Sequence, residues 1–240
     1  MNRTDTRAVD FKPRFSPMPA FRRTAPLVLL TCLALARPAA AAETFGLDGN
    51  RAGPAARAQT EWVRQAQALE KRGDWPGLLA WGRDWAQADA HNPVAWFVQG
   101  RALGELGRLD EAIAAYRHNL RLAPGDAMAR NNLGDAWRDS GRPREAMRAY
   151  RAAVETDPDY LPAWRNLGLT FYQTKGEAGV TQALQKLRAV DPQLAEVWRA
   201  LAVEYSVTQD EQVAREAVRV WRGLSKARRE RMFGILFDEG

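Results

Sequence analysis

One ruler of 34 residues runs through most of this chain. Trp62, Trp96, Trp164 and Trp198 fall on it, and Arg130 holds the remaining mark. Four positions after each mark stands a small residue: Ala66, Gly100, Gly134, Gly168 and Ala202. Three places further on comes a large one: Leu69, Leu103, Trp137, Phe171 and Tyr205. The second half of each unit keeps the same phase with Leu78, Ala112, Ala146, Val180 and Ala214, and Pro124, Pro158 and Pro192 close the middle units. Landmarks in such register specify an internal repeat whose units stack on their neighbours.

Each unit reads as a pair of antiparallel helices. The mark, the small residue four later and the large residue after that share one helix face, because positions four and three apart stack. A small residue there lets the partner helix approach closely, and the neighbouring Trp is expected to fill the gap. In the best unit Asn92 and Pro93 open the first helix as N-cap and first-turn proline. Gly107 stops it, Asp110 starts the second helix, and Ala112, Ile113 and Tyr116 form that helix's inner face. Pro124 and Gly125 end the unit. The next unit repeats this with Gly141 as stop and Pro143 as restart, and no alternating strand pattern competes.

The segments WFVQGRALGELGRLDEAIAAYRHNLRLAP from Trp96 and RNNLGDAWRDSGRPREAMRAYRAAVETDP from Arg130 resemble the tetratricopeptide repeat family. WRNLGLTFYQTKGEAGVTQALQKLRAVDP from Trp164 is similar in its first helix and looser in its second. The resemblance implies an all-α solenoid of about five repeats, with units near 59–92, 93–126, 127–160, 161–194 and 195–225. Against the family pattern, Gln65 and Gln99 replace an aliphatic residue, Gly82 and Asn119 change the size at packing positions, and Gln209 replaces the turn glycine. An amphipathic segment in 226–240, Lys226 to Phe237, is expected to cap the last pair.

The first 42 residues are different material. Arg22 and Arg23 precede an apolar run from Ala25 to Ala36, followed by Arg37, Pro38 and alanines ending near Ala42. Positive flank, short apolar stretch and small-residue cleavage site describe a secretory signal peptide. The run is too short to span a bilayer comfortably, so cleavage near Ala42 and a periplasmic or secreted product are expected, with no stable membrane insertion afterwards. Retention as an anchor stays open, as does a start at Met1 or Met18. Cys32, the one cysteine, sits inside this leader. Residues 43–58, rich in Gly, Ala and polar side chains, read as a flexible tether.

Removing the leader leaves 28 basic against 27 acidic residues, so the high isoelectric point is no argument for nucleic acid. The basic cluster Lys226, Arg228, Arg229 and Arg231 reads as the solvated face of the cap. His91 and His118 lack partners at metal-ligand spacing and read as surface histidines. No phosphate loop, serine elbow or paired-histidine helix appears, so no catalytic residue, metal or cofactor is implied. Asp110, Glu111 and Glu145 open second helices, where they suit the helix dipole.

Binding remains. Stacked helix pairs curve, and their first helices line the concave side. Residues just after each mark, and one turn further on, are expected to face that groove: Phe97, Arg101, Asn131, Asn132, Asp135, Arg138, Arg165, Asn166, Leu169, Tyr172 and Arg199. Guanidinium groups pair with carboxylates, and amides hydrogen-bond a peptide backbone. Some members of the family hold a terminal carboxylate with such residues, a clamp this chain resembles only loosely because the lysines are missing. The reading is a non-catalytic adaptor for a protein or peptide partner. A structural subunit acting through its convex face, and an envelope hydrolase, are the alternatives.

Overall fold

A computed structural model describes residues 54–237, with side-chain surroundings from Thr60 onward. The leader and residues 43–53 of the tether lie outside the described residues. Among the described residues every regular element is helical. In chain order they are α1 (Pro54–Arg72), α2 (Trp75–Ala88), α3 (Pro93–Glu105), α4 (Leu109–Leu122), α5 (Ala127–Asp139), α6 (Pro143–Thr156) and α7 (Leu161–Val190). Then α8 (Pro192–Trp198) runs through a π-helical stretch, Arg199–Glu204, into α9 (Tyr205–Thr208), followed by α10 (Glu211–Gly223) and α11 (Lys226–Phe237). The helices pack as successive antiparallel pairs, an α-solenoid. Helix α1 already begins inside the stretch read as tether, with Pro54 as its first residue and helix-forming alanines behind it.

Local chemistry sets the ends. Asn92 caps α3 by accepting from the Val94 N–H at 3.0 Å, and Asp126 caps α5 through the Ala129 N–H at 2.8 Å. Second helices α4 and α6 start after Arg108 and Arg142, which make no side-chain cap. Acids in their first turns, Asp110, Glu111 and Glu145, offset this at the positive helix end. Helix α7 is two helices run together across Gly176, whose φ of 68° and ψ of −177° interrupt the turn. In the last unit Gln209 occupies the left-handed region at φ 54°, where the other turns use glycine.

Close approach between paired helices differs from the expected Trp-in-gap packing. Tyr116 and Tyr150, from the second helices, lie over Gly100 and Gly134. An added Cβ would meet their rings at 2.7 and 2.5 Å. Two apparent departures from the family pattern form one matched pair. The side chain of Gln99 lies where a Cβ on Gly82 would stand, and its Nε2 donates to the Gly82 carbonyl at 3.0 Å. Asn119 likewise donates to the Pro93 carbonyl at 2.9 Å. In the fourth unit Leu184 stands at the tyrosine position, and Gly168 faces backbone instead: a Cβ there would lie 1.7 Å from the Ala202 carbonyl oxygen, inside the π-helical stretch. Val180 and Leu184 are only partly buried, and Ala183 and Leu187 take over the inner face of this looser helix.

The three middle ruler marks share a hydrogen bond, whereas the buried Nε1 of Trp198 meets no partner among the described residues. Trp96 Nε1 donates to the Ala90 carbonyl at 3.0 Å and Trp164 Nε1 to the Pro158 carbonyl at 3.1 Å, each six residues back. Arg130 does the same to the Pro124 carbonyl at 2.5 Å, so a guanidinium replaces the indole N–H. Its Nε also reaches Thr156 Oγ1 at 3.0 Å. Trp164, Trp198 and Trp221 are wholly buried, and each such aromatic contributes roughly 1.5–3 kcal/mol through apolar burial. Trp164 meets Trp221 edge to face at 5.0 Å, and Trp221 meets Phe233 of α11 at 5.5 Å.

The cap reaches further back than the last pair. Arg151 of α6 lies over the Phe233 ring at 4.7 Å, and Arg222 of α10 pairs with Asp159 before α7. Two residues of the basic cluster are fasteners and not a solvated face: Arg228 binds Asp191 and Gln193 at 2.8 Å each, and Arg229 binds the Leu224 carbonyl at 3.1 Å. Asp191 also ends α7 and caps α8 through the Gln193 N–H. Partial desolvation pushes its carboxyl up, but the Arg228 hydrogen bond and charge outweigh this and hold it below the usual range.

Gly168→Ala is expected to cost about 3 kcal/mol or more, because a backbone carbonyl cannot yield as a side chain can. Gly234→Ala, in open space on α11, is expected to stabilise by about 0.5–1 kcal/mol. Denaturant midpoints of the two variants check both. Gln209→Gly should raise the midpoint by removing a left-handed penalty of about 1 kcal/mol; an unchanged midpoint would show that this turn carries no strain.

Candidate binding groove

First helices α1, α3, α5, the first half of α7 and α8 with its π-helical continuation carry the residues that follow each ruler mark. Neighbouring first helices brace one another here through side chains. Arg101 on α3 binds Glu70 on α1, with Nε to Oε1 at 2.9 Å and the second nitrogen at 2.8 Å. Both side chains are mostly covered, at 20% and 14% exposure. This pair is therefore screened less than a surface ion pair.

A larger network centres on Asp135 of α5. Its Oδ1 accepts from Tyr150 Oη at 2.8 Å, Arg138 at 2.9 Å and Asn166 Nδ2 at 3.3 Å, and its Oδ2 from Asn131 Nδ2 at 3.3 Å. Asn166 Nδ2 also reaches Asn131 Oδ1 at 3.0 Å, so the third and fourth units are joined. Arg138 completes the set by donating to Tyr150 Oη and Asp139 at 3.1 Å each. Burial and the Asp135 charge push the Tyr150 phenol well above its ordinary value. Burial lowers the Arg138 guanidinium, but the Tyr150 and Asp135 contacts prevail and it is raised.

The eleven residues expected in the groove therefore divide. Phe97, Asn131 and Leu169 are corrected: they are 4%, 4% and 9% exposed and present almost no surface. Phe97 turns inward to meet Tyr116 edge-on at 5.9 Å, and Asn131 is drawn inward by Asp135 and Asn166. Arg101, Asp135, Arg138 and Asn166 are committed to the internal bonds above. Arg199 is exposed and held between Glu196 at 2.9 Å and Glu204 at 2.8 Å. Arg165 and Tyr172 are half-buried on α7. Burial pushes the Tyr205 phenol up, and the Arg165 charge draws it part-way back.

Asn132 stands apart. It is half-buried, and its Oδ1 accepts from Asn131 Nδ2 at 3.4 Å, which leaves its own amide nitrogen outside that contact. Among the described residues no acceptor meets this nitrogen, which leaves two donors beside the network. Glu70 and Tyr150 were not anticipated as partners of this face. The spacing held the clue: Glu70 to Arg101 and Asp135 to Asn166 are each 31 residues apart, one ruler less about one helical turn. Of the two histidines expected at the surface, one departs from that reading. His91 is exposed, but His118 is half-buried and stacked on Trp96 at 3.8 Å. Among the described residues no group of three or more His, Cys, Asp or Glu is placed to hold a metal, and no helix is long and apolar enough to cross a membrane.

Tyr150→Phe removes the hydroxyl from Asp135 and Arg138 and is expected to cost about 1 kcal/mol near neutral pH. A raised phenol pKa adds stability that is complete below about pH 10 and is lost as pH rises through the phenol range. Wild type should therefore lose more of its denaturation midpoint than the variant between about pH 9 and about pH 11. Parallel losses would remove Tyr150 as the alkaline-sensitive group.

A family model described as tetratricopeptide repeat matches residues 97–160 and 138–178. No curated protein matches the chain. Among solved structures, the chain is similar to MamA, with 20% identity, 70% of this chain and 94% of that one covered, and a TM-score of 0.44. Residues 41 to the end of MamA from Desulfovibrio magneticus give 21% identity, coverage of 72% and 99%, and a TM-score of 0.45. YrrB, described as a TPR protein with an unusual peptide-binding site, gives 19% identity, coverage of 70% and 98%, and a TM-score of 0.44. Such scores leave the assignment to the family match and to the helix geometry already described. The family match thus spans residues 97–178, and the described residues form an all-α solenoid of antiparallel helix pairs.

Proposed function

We propose that this protein is a non-catalytic adaptor that holds a peptide or protein segment along its first-helix face. The observation that carries the reading is Asn132: an oriented, half-buried amide whose donors meet no acceptor among the described residues. Around it the side chains are fixed by mutual bonds, so a partner meets a surface already ordered and loses less entropy on docking. An amide donor suits a backbone carbonyl, which any sequence supplies, so the partner is read as an extended segment. The tetratricopeptide repeats fit such a role, since members of that family commonly serve as interaction modules. Export to a bacterial periplasm, or secretion, is part of the proposal and rests on the leader sequence from Arg22 to Ala42.

Affinity capture from a periplasmic extract tests the reading, with the chain from Glu43 as bait and Asn132→Ala as control. The variant keeps the helix and removes only the donors. A protein recovered at least tenfold less by the variant would support the groove. Equal recovery would move the site to the convex face or the cap and overturn this assignment. Full-length protein that stays in the cytoplasm on fractionation would overturn the export proposal separately.

A further inference from the structure

At the outer edge of the second unit, three elements meet around one imidazole. His118 of α4 stacks on Trp96 of α3, with ring centroids 3.8 Å apart and planes inclined by 20°. Trp96 in turn fixes the preceding turn through its Nε1 bond to the Ala90 carbonyl at 3.0 Å. On the far side, a guanidinium nitrogen of Arg121 approaches His118 Nδ1 at 2.7 Å. A guanidinium can only donate. Nδ1 must therefore be the acceptor, and the ring is the neutral form with its proton on Nε2. Two further titratable groups lie in the turn itself: His91, close enough for its charge to act on His118, and Asp89, whose Oδ1 accepts from the His91 N–H at 3.1 Å.

We propose that His118 is an acid-released latch: neutral, it fastens Arg121, Trp96 and the Ala90–His91 turn together, and protonated, it lets go. A second proton on the ring would turn Nδ1 into a donor facing another donor. The Arg121 bond would then be lost and two cations would stand at hydrogen-bond distance. Two effects oppose release: a charged ring gains a cation–π contact with Trp96, and it sits near the negative end of α4. Their weight against the Arg121 clash sets the direction in which His118 titrates, so the balance can be measured. Desolvation and the Arg121 and His91 charges all pull the His118 pKa below its ordinary value, as release requires. Stability from the latch is then present above the ordinary imidazole range and falls away as pH drops through it.

The chain has two histidines, so NMR titration of the full chain, with His91→Gln to assign the signals, reads His118 directly. In the wild type His118 is expected to titrate below a free imidazole. Arg121→Gln should move it back up. Hydrogen exchange of residues 89–97, corrected for intrinsic rates, should show greater opening at pH 5 than at pH 7. His118→Phe, which keeps the stacked ring and removes the titration, should abolish that difference. A His118 pKa at or above the ordinary value would show that Trp96 and the helix end hold the charged form, and would overturn the latch. Equal acid-induced opening in His118→Phe would overturn it as well. Neither outcome bears on partner capture through Asn132.

Discussion

How near two helices can come is decided in this chain by one small residue per unit. At Gly100 and Gly134 the missing side chain admits the ring of Tyr116 or Tyr150, which ties the first helix of a unit to its second. At Gly168 no ring is available, and a carbonyl of the next unit enters instead. That exchange has consequences along the chain. A π-helical stretch in place of regular helix brings Ala202 forward, the second helix of the fourth unit is left partly covered, and α10 and α11 fold back over the gap with Trp221 and Phe233. Arg222, Arg228 and Arg151 then fasten those helices to units two and three steps earlier. The buried apolar residues accordingly form two clusters, one from α1 into α5 and the other from α6 to α11.

Tyr150 links this packing constraint to the groove. The ring that fills the space over Gly134 carries a hydroxyl to Asp135, and Asp135 in turn orients Arg138, Asn131 and Asn166. A packing position thus fixes the polar chemistry of this part of the first-helix face. Asn131 and Asn166 extend the order across the unit boundary, so that boundary is set by polar side chains as well as by apolar burial. A hydrogen-bonded network with most members satisfied resists rearrangement because each broken bond leaves a covered polar atom without a partner.

The repeat, the helix pairs, the stops at Gly107 and Gly141 and the cap at Asn92 were legible because each depends on a residue type at a fixed local spacing. The start of α1 at Pro54 was missed because the glycines and polar residues before it masked a run of helix formers. Arg130 looked like a gap in the ruler, although its guanidinium directs an N–H to the carbonyl six residues back, as the indoles of Trp96 and Trp164 do. Gln99 and Gly82 looked like two irregularities and are one complementary pair. Such compensations join residues far apart in sequence, and a column of single positions does not reveal them. The groove list failed in part for a related reason. A ruler says which helix face a residue shares, but whether Phe97, Asn131 and Leu169 end on the surface or beneath it depends on neighbours from other units.

This pairing decides what the first-helix face has to offer. Arg101, Arg138 and Arg199 each hold a carboxylate already. A partner's carboxylate at any of them would exchange one ion pair for another, and the displaced Glu70, Asp135 or Glu196 would need a new partner or water. At the two covered sites that exchange leaves a desolvated charge behind, which costs several kcal/mol where the burial is complete. Recognition by a carboxylate clamp is therefore disfavoured on this face, although the arginines first suggest it. An amide with open donors incurs no such exchange. In the proposed binding mode Asn132 would donate to a backbone carbonyl while Asp135 and its neighbours keep every bond they have, with the network as a fixed frame around that contact.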